Sequence, residues 1–270
     1  MVYLKVASWE SRGFLNVSRG LKEAWIMWNS FFYQPLVNSL IFFYNLLGGN
    51  LGWAIIGLTV AIRLLLTPLT LPSLKSAQKL KRLQPELAKL KEKFGQNKQE
   101  FAKKQLEFYK ANGVNPAAGC LPQIAQIVIL IALFQVFQTT LVEGAGYNTR
   151  FFYLDLTKPD LFSIPAINLF GFKLDKFPGI FLVASAVIQF ISSKLMMPAA
   201  VKSKNLAEKT KGQSDDMAAA MQQQMLYLMP LMTLFIGFKF ASGLVLYWLT
   251  FSLVMLFQQL WLDHGQTQKT

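Results

Sequence analysis

Few residues in this 270-residue chain have side chains that could do chemistry in an apolar setting, and Arg63 is the most telling of them. It lies within LGWAIIGLTVAIRLLLTPLTL, Leu51 to Leu71, which reaches the roughly twenty mostly apolar residues that a helix needs to cross a bilayer. A charge at that depth costs roughly 2.5 to 3.5 kcal/mol on insertion scales unless it faces water, a partner or a protein interior. Thr59 and Thr67 stand one turn before and one turn after it, so the three share a face and form a polar stripe on a Leu/Ile helix. Two readings follow. Arg63 is either a cation in a hydrated cavity, offering donors to a carboxylate or to backbone carbonyls, or a side chain snorkelling to the nearer headgroups. The apolar residues from Leu64 to Leu71 still follow it, which favours the cavity.

Other chemistries lack material. The single histidine, His264, is near the end of the chain, so no histidine pair, HExxH zinc site or Ser-His triad can form within the apolar stretches. The single cysteine, Cys120, excludes an internal disulfide and a cysteine zinc site. No nucleotide-binding motif is present, and no cofactor or metal is expected. An intramembrane enzyme would need a nucleophile and a base, and Cys120 and Ser192 have neither histidine nor buried acid to work with.

The elements that must position Arg63 are membrane elements, since hydrophobic residues make up 53% of the chain. The net charge of +13 is concentrated in Lys75 to Lys110, with a smaller share in Lys194 to Lys211. Basic charge beside apolar spans reads first as an orientation signal rather than a nucleic-acid site.

In chain order, residues 1–34 read as an N-terminal segment, loosely ordered or interfacial, with Trp25, Trp28, Phe31, Phe32 and Tyr33 suited to an interfacial belt. Residues 35–50 read as an amphipathic interfacial helix ended by Gly48-Gly49-Asn50, or alternatively as a further span. The first span, 51–71, ends in a kinked exit at Pro68 and Pro72, and 72–114 form a basic helical hairpin turned at Gly95-Gln96-Asn97. Exposed pairs Glu100–Lys104 and Lys103–Glu107 are expected on it. Gly113, Asn115 and Pro116 punctuate the start of the second span, 116–141, in which Gln123 and Gln126 share a face. An outer loop, 142–177, leads to the third span, 178–197, with Gln189, Ser192 and Ser193. A polar loop, 198–221, precedes the fourth span, 222–238, kinked at Pro230. The fifth span, 244–262, carries Tyr247 and Trp248, and 263–270 are a short tail. Lysine and arginine bias places the hairpin, the 198–221 loop and the C-terminus in the cytoplasm and the N-terminus outside.

These residues resemble the YidC family of membrane-protein insertases. The likeness rests on Gly52, Thr59, Arg63 and Pro68-Leu69-Thr70 in the first span, QPEL from Gln84 to Leu87, and NP-x-x-GCLP-x-x-x-Q from Asn115 to Gln126. SGLVLYW from Ser242 to Trp248 and Gln258-Gln259 complete it. The resemblance implies an all-α membrane protein of the bacterial inner membrane, with five transmembrane helices around a hydrophilic groove open to the cytoplasm. It also implies an outer interfacial helix and a mobile cytoplasmic hairpin. Arg63, Thr59, Gln126 and Trp248 match groove positions of the family. Gln189 is a groove candidate from its depth, and Thr67, Gln123, Ser192 and Tyr247 complete the expected lining. The implied partners are nascent membrane-protein clients and lipid, with a Sec translocon and the ribosome left open. Ile127-Val128 stands where many members have Met-Pro, so a kink there is not expected.

Three plainer readings stand beside these. Gln126 and Gln189 could bond only to neighbouring helices, Trp248 could be packing, and the whole bundle could be a channel or transporter in which Arg63 holds a small anion. The last requires an enclosing pore or a repeated pair of broken helices, and no internal repeat is evident.

Overall fold

The structure is a computed structural model that describes residues 19–95, 97–114, 121–140, 146–169, 172–196 and 226–267. The expected loop 198–221, the capping residues Asn115 and Pro116, and Cys120 lie outside the described residues.

Helix starts earlier than the sequence suggests. α1, Arg19–Trp28, runs through a π-helical turn, Asn29–Tyr33, into α2, Gln34–Leu46. Pro35 lacks an N–H and crowds the preceding turn. The wider turn directly before it, closed by the Gln34 N–H on the Asn29 carbonyl, takes up that displacement and lets the helix continue. The segment up to residue 34, expected to be loosely ordered or interfacial, is helical from Arg19 onward. Gly48 and Gly49 end α2 with φ of 79° and 67°, a left-handed backbone that glycine adopts without a Cβ penalty.

The Asn50 side chain caps α3, accepting from the Gly52 N–H at 2.9 Å while donating to the Arg150 carbonyl at 2.8 Å. α3 then spans Leu51–Phe94 with Pro68, Pro72 and Pro85 inside it, so helix continues past the expected end of the first span into the first arm of the hairpin. The Thr67 and Thr70 hydroxyls bond back to the carbonyls of Arg63 and Leu66 at 2.7 and 3.0 Å.

α4, Lys98–Ala111, is capped by Asn97 and folds back so that Phe101, Leu74 and Val114 are buried. Its ion pair is Lys104–Glu107 at 3.0 Å, three residues apart, in place of the two pairs expected four apart. Lys81 on α3 donates to the Leu195 carbonyl at 2.9 Å, tying the hairpin arm to the last turn of α6.

α5 covers Leu121–Thr140. The segment expected as a plain loop carries two antiparallel ribbons: β1, Arg150–Phe151, with β2, Leu154–Asp155, and β3, Leu161–Leu169, with β4, Phe172–Pro178. α6 is Ile180–Met196, α7 is Leu226–Gly237, and α8 is Ser242–Thr267, which extends through most of the expected tail. Among the described residues α3 and α8 are long and apolar enough to cross a membrane, and the apolar parts of α5, α6 and α7 are shorter.

The apolar core lies at the ribbon end of the bundle. It gathers Leu40 from α2, Leu51, Ile55 and Leu58 from α3, Leu133 and Val136 from α5, Leu154 and Leu156 from the ribbon, and Leu246 and Tyr247 from α8. Below it, towards the hairpin, buried side chains become polar.

Candidate functional site

The polar stripe of α3 faces inward. Thr59 is buried, its hydroxyl bonded to the Ile55 carbonyl at 2.6 Å, and Arg63 one turn on is only 8% exposed. The Arg63 guanidinium sits 3.9 Å from the centre of the Phe251 ring on α8. Its Nε and Nη2 have no hydrogen-bond partner among the described residues. A snorkelling arginine would keep its head in water or headgroups, so that alternative does not describe this side chain.

One turn nearer the hairpin, the Thr67 hydroxyl accepts from Gln258 Nε2 at 2.8 Å. Gln258 Oε1, both amide atoms of Gln259 and the Ser192 hydroxyl are buried without partners among the described residues. Thr70 and Ser73 continue the buried polar face of α3 past Pro68.

The other expected residues divide. Gln126 donates to the Tyr247 hydroxyl at 2.5 Å, and Tyr247, buried in α8, lies within electrostatic reach of Arg63. The contacts of Gln126 with Tyr247, of Tyr247 with Phe251 and of Phe251 with Arg63 therefore join α5, α8 and α3. Gln189 is engaged elsewhere, accepting from the Thr233 hydroxyl of α7 at 2.6 Å, and Trp248 packs half-buried against the apolar core. Gln126 and Gln189 thus each bond to a neighbouring helix, the first beside Arg63 and the second apart from it. The side chain of Gln123 lies outside the described residues.

Sequence reasoning missed Phe251, Gln258 and Gln259 as site residues. A signal for two of them was available: Tyr247, Phe251 and Gln258 recur at helical spacing on one face of α8.

The arrangement has a clear chemical consequence. A buried cation without a counter-ion loses its hydration, a penalty of several kcal/mol. The Phe251 ring returns about 0.5 to 2 kcal/mol. Donors aimed into the protein and left unpaired suit an acceptor that arrives later, a carboxylate or a run of peptide carbonyls. The amides beside it both donate and accept, which suits peptide groups.

The family described as 60Kd inner membrane protein matches residues 42–269 of this chain. A membrane protein insertase YidC of Fusobacterium nucleatum is 34% identical over 234 residues, covering 85% of this chain and 96% of that protein. The chain belongs to the YidC family. A YidC 2 of Bacillus anthracis is 34% identical over 226 residues, covering 82% of this chain and 75% of its own length. A YidC of Roseobacter denitrificans is 36% identical over 248 residues, but these make up 39% of that longer protein. The matched region takes in α3 to α8, so the Arg63 site lies within the part shared with YidC relatives, and the chain is a mostly helical membrane protein.

Proposed function

We propose that this YidC-family chain is a membrane-protein insertase that receives client polypeptides against α3 and α8 at the hairpin half and releases their apolar spans into lipid. The observation that carries this reading is Arg63, nine-tenths covered and with two guanidinium nitrogens unpaired among the described residues. The names of the relatives support it.

In this reading the hairpin and C-terminus face the cytoplasm and the N-terminus lies outside, following the lysine bias. The hairpin arm, held to α6 through Lys81 and Leu195, moves aside to admit the client. Arg63 takes a client carboxylate or backbone carbonyls, and Thr67, Gln258 and Gln259 take peptide groups below it. Each polar group so held escapes the several kcal/mol that an unsatisfied group costs in hydrocarbon. The client's apolar span leaves sideways past α6 and α8. No nucleotide is consumed. The drive comes from partitioning of that span and, for acidic tails, from the membrane potential, about 2.3 kcal/mol per charge per 100 mV.

Purified protein in liposomes tests this reading against an anion channel. Insertion of a single-span client without anion flux is expected. Anion flux without insertion would replace this reading with the channel.

A further inference from the structure

We infer that the turn between β1 and β2 is a lipid anchor that holds Phe152 in the headgroup region of the leaflet at the ribbon end. The turn pairs Arg150 with Asp155 and Phe151 with Leu154, leaving Phe152 and Tyr153 as its two tip residues. Phe152 has a φ of 52°, the left-handed backbone that glycine or asparagine usually takes, and it is the described non-glycine residue with positive φ. Its ring is 77% exposed. A bulky residue is thus kept in an unfavourable conformation with its ring displayed outward.

The surrounding structure over-determines that conformation, the condition under which backbone strain persists. Phe151 is buried against the first turn of α3, where a Cβ on Gly52 would collide with its ring. Leu154 and Leu156 are buried on the other arm, and the backbone is tied by Leu51 N–H to the Asn148 carbonyl and Leu156 N–H to the Thr149 carbonyl. With both arms fixed inward and the Tyr153 hydroxyl turned back to buried Asp160, Phe152 is left as the outward residue of the tip.

The level of the tip identifies its partner. Phe152 contacts Trp53 and Phe181 at ring distances of 6.5 and 6.3 Å, and these belong to the first turns of α3 and α6, two apolar helices that run from here towards the hairpin. The ends of apolar helices lie at headgroup depth, where tryptophan and tyrosine concentrate, and Trp53 and Tyr153 flank Phe152. Trp53, Tyr153, Phe162, Phe177 and Ile180 are exposed around the same tip.

The test is a nitroxide label at Phe152→Cys in a Cys120→Ala background, in liposomes of phosphatidylethanolamine and phosphatidylglycerol, with Lys103→Cys on α4 as the aqueous reference. The expected result is loss of nickel-chelate collisions relative to Lys103→Cys, with oxygen collisions retained. Free access of the chelate, or exclusion of both reagents by a covering protein, would overturn the anchor. Phe152→Trp supplies a conservative check, since its added emission should be quenched by brominated lipid, and an unquenched increment would also overturn it. Phe152→Gly relieves the backbone and should keep or raise the thermal midpoint in detergent. A fall would make the ring internal packing instead.

Discussion

The ribbon half and the hairpin half of the bundle share α3, α6 and α8 but treat buried polar groups in opposite ways. At the ribbon end, buried Asp160 accepts from the Tyr153 hydroxyl at 2.9 Å and from the Leu182 N–H at 2.8 Å, while Ser242 donates to the Asp155 carbonyl at 2.9 Å. At the hairpin end, the unpaired atoms of Arg63, Ser192, Gln258 and Gln259 are all the buried side-chain nitrogens and oxygens without partners among the described residues. A satisfied polar network rigidifies, and an unsatisfied one costs stability and persists where function retains it. The bundle thus has a closed, well-bonded end and an end whose chemistry awaits a partner.

Substitutions can break this contrast. The largest stability effect is expected at the closed end: Asp160→Ala leaves the Leu182 N–H and the Tyr153 hydroxyl without their acceptor and removes a negative charge from the start of α6. A loss of about 2 to 4 kcal/mol should appear as a lower thermal midpoint in detergent. A neutral result would mean that the ribbon end is not clamped by this residue.

The open end should respond in the opposite direction. Gln259→Leu removes two buried unpaired atoms, so stability should hold or rise by about 1 kcal/mol while client insertion falls. A clear loss of stability would show that Gln259 is a structural amide and would erase the difference between the halves.

A smaller effect is expected from pH. Partial burial, with the hydrogen bond to Asp160, pushes the Tyr153 hydroxyl up to about 12. The unfolded chain releases that proton near pH 10 and the folded chain near 12, so the contribution of Tyr153 is complete below about pH 10 and declines as pH rises towards 12. Thermal midpoints of the wild type and Tyr153→Phe, compared across that window, should converge. The smallest effect belongs to the exposed hairpin pair: Lys104→Ala should leave the midpoint unchanged, since solvent and salt screen such pairs.

Arg63, Thr59 and Thr67 were legible in the sequence because a polar stripe stands out against leucine. Gln258 and Gln259 were visible as part of the family likeness, but amides near the end of a span read equally well as interfacial residues. Gln258 is bonded to Thr67 of another helix, 191 positions away in the chain. The prolines marked boundaries that the helices run through: Pro68 and Pro72 read as a kinked exit from the first span although α3 continues to Phe94, and Pro35 read as a helix start although a π turn absorbs it. The β1–β2 ribbon was not legible because two-residue strands such as Arg150–Phe151 are too short to show alternation, and in β3 Pro165 and a register shift between Ser163 and Ile167 interrupt the pattern. The pairing of Gln189 with Thr233 rather than Arg63 depends on how α7 packs, which periodicity does not encode.

The central claim is that the unpaired guanidinium of Arg63 receives the client. Its most direct test is insertion of a single-span client with an acidic tail into liposomes containing Arg63→Ala protein at wild-type amounts. The account predicts that insertion is lost while the protein remains folded. Full insertion by that variant would contradict it.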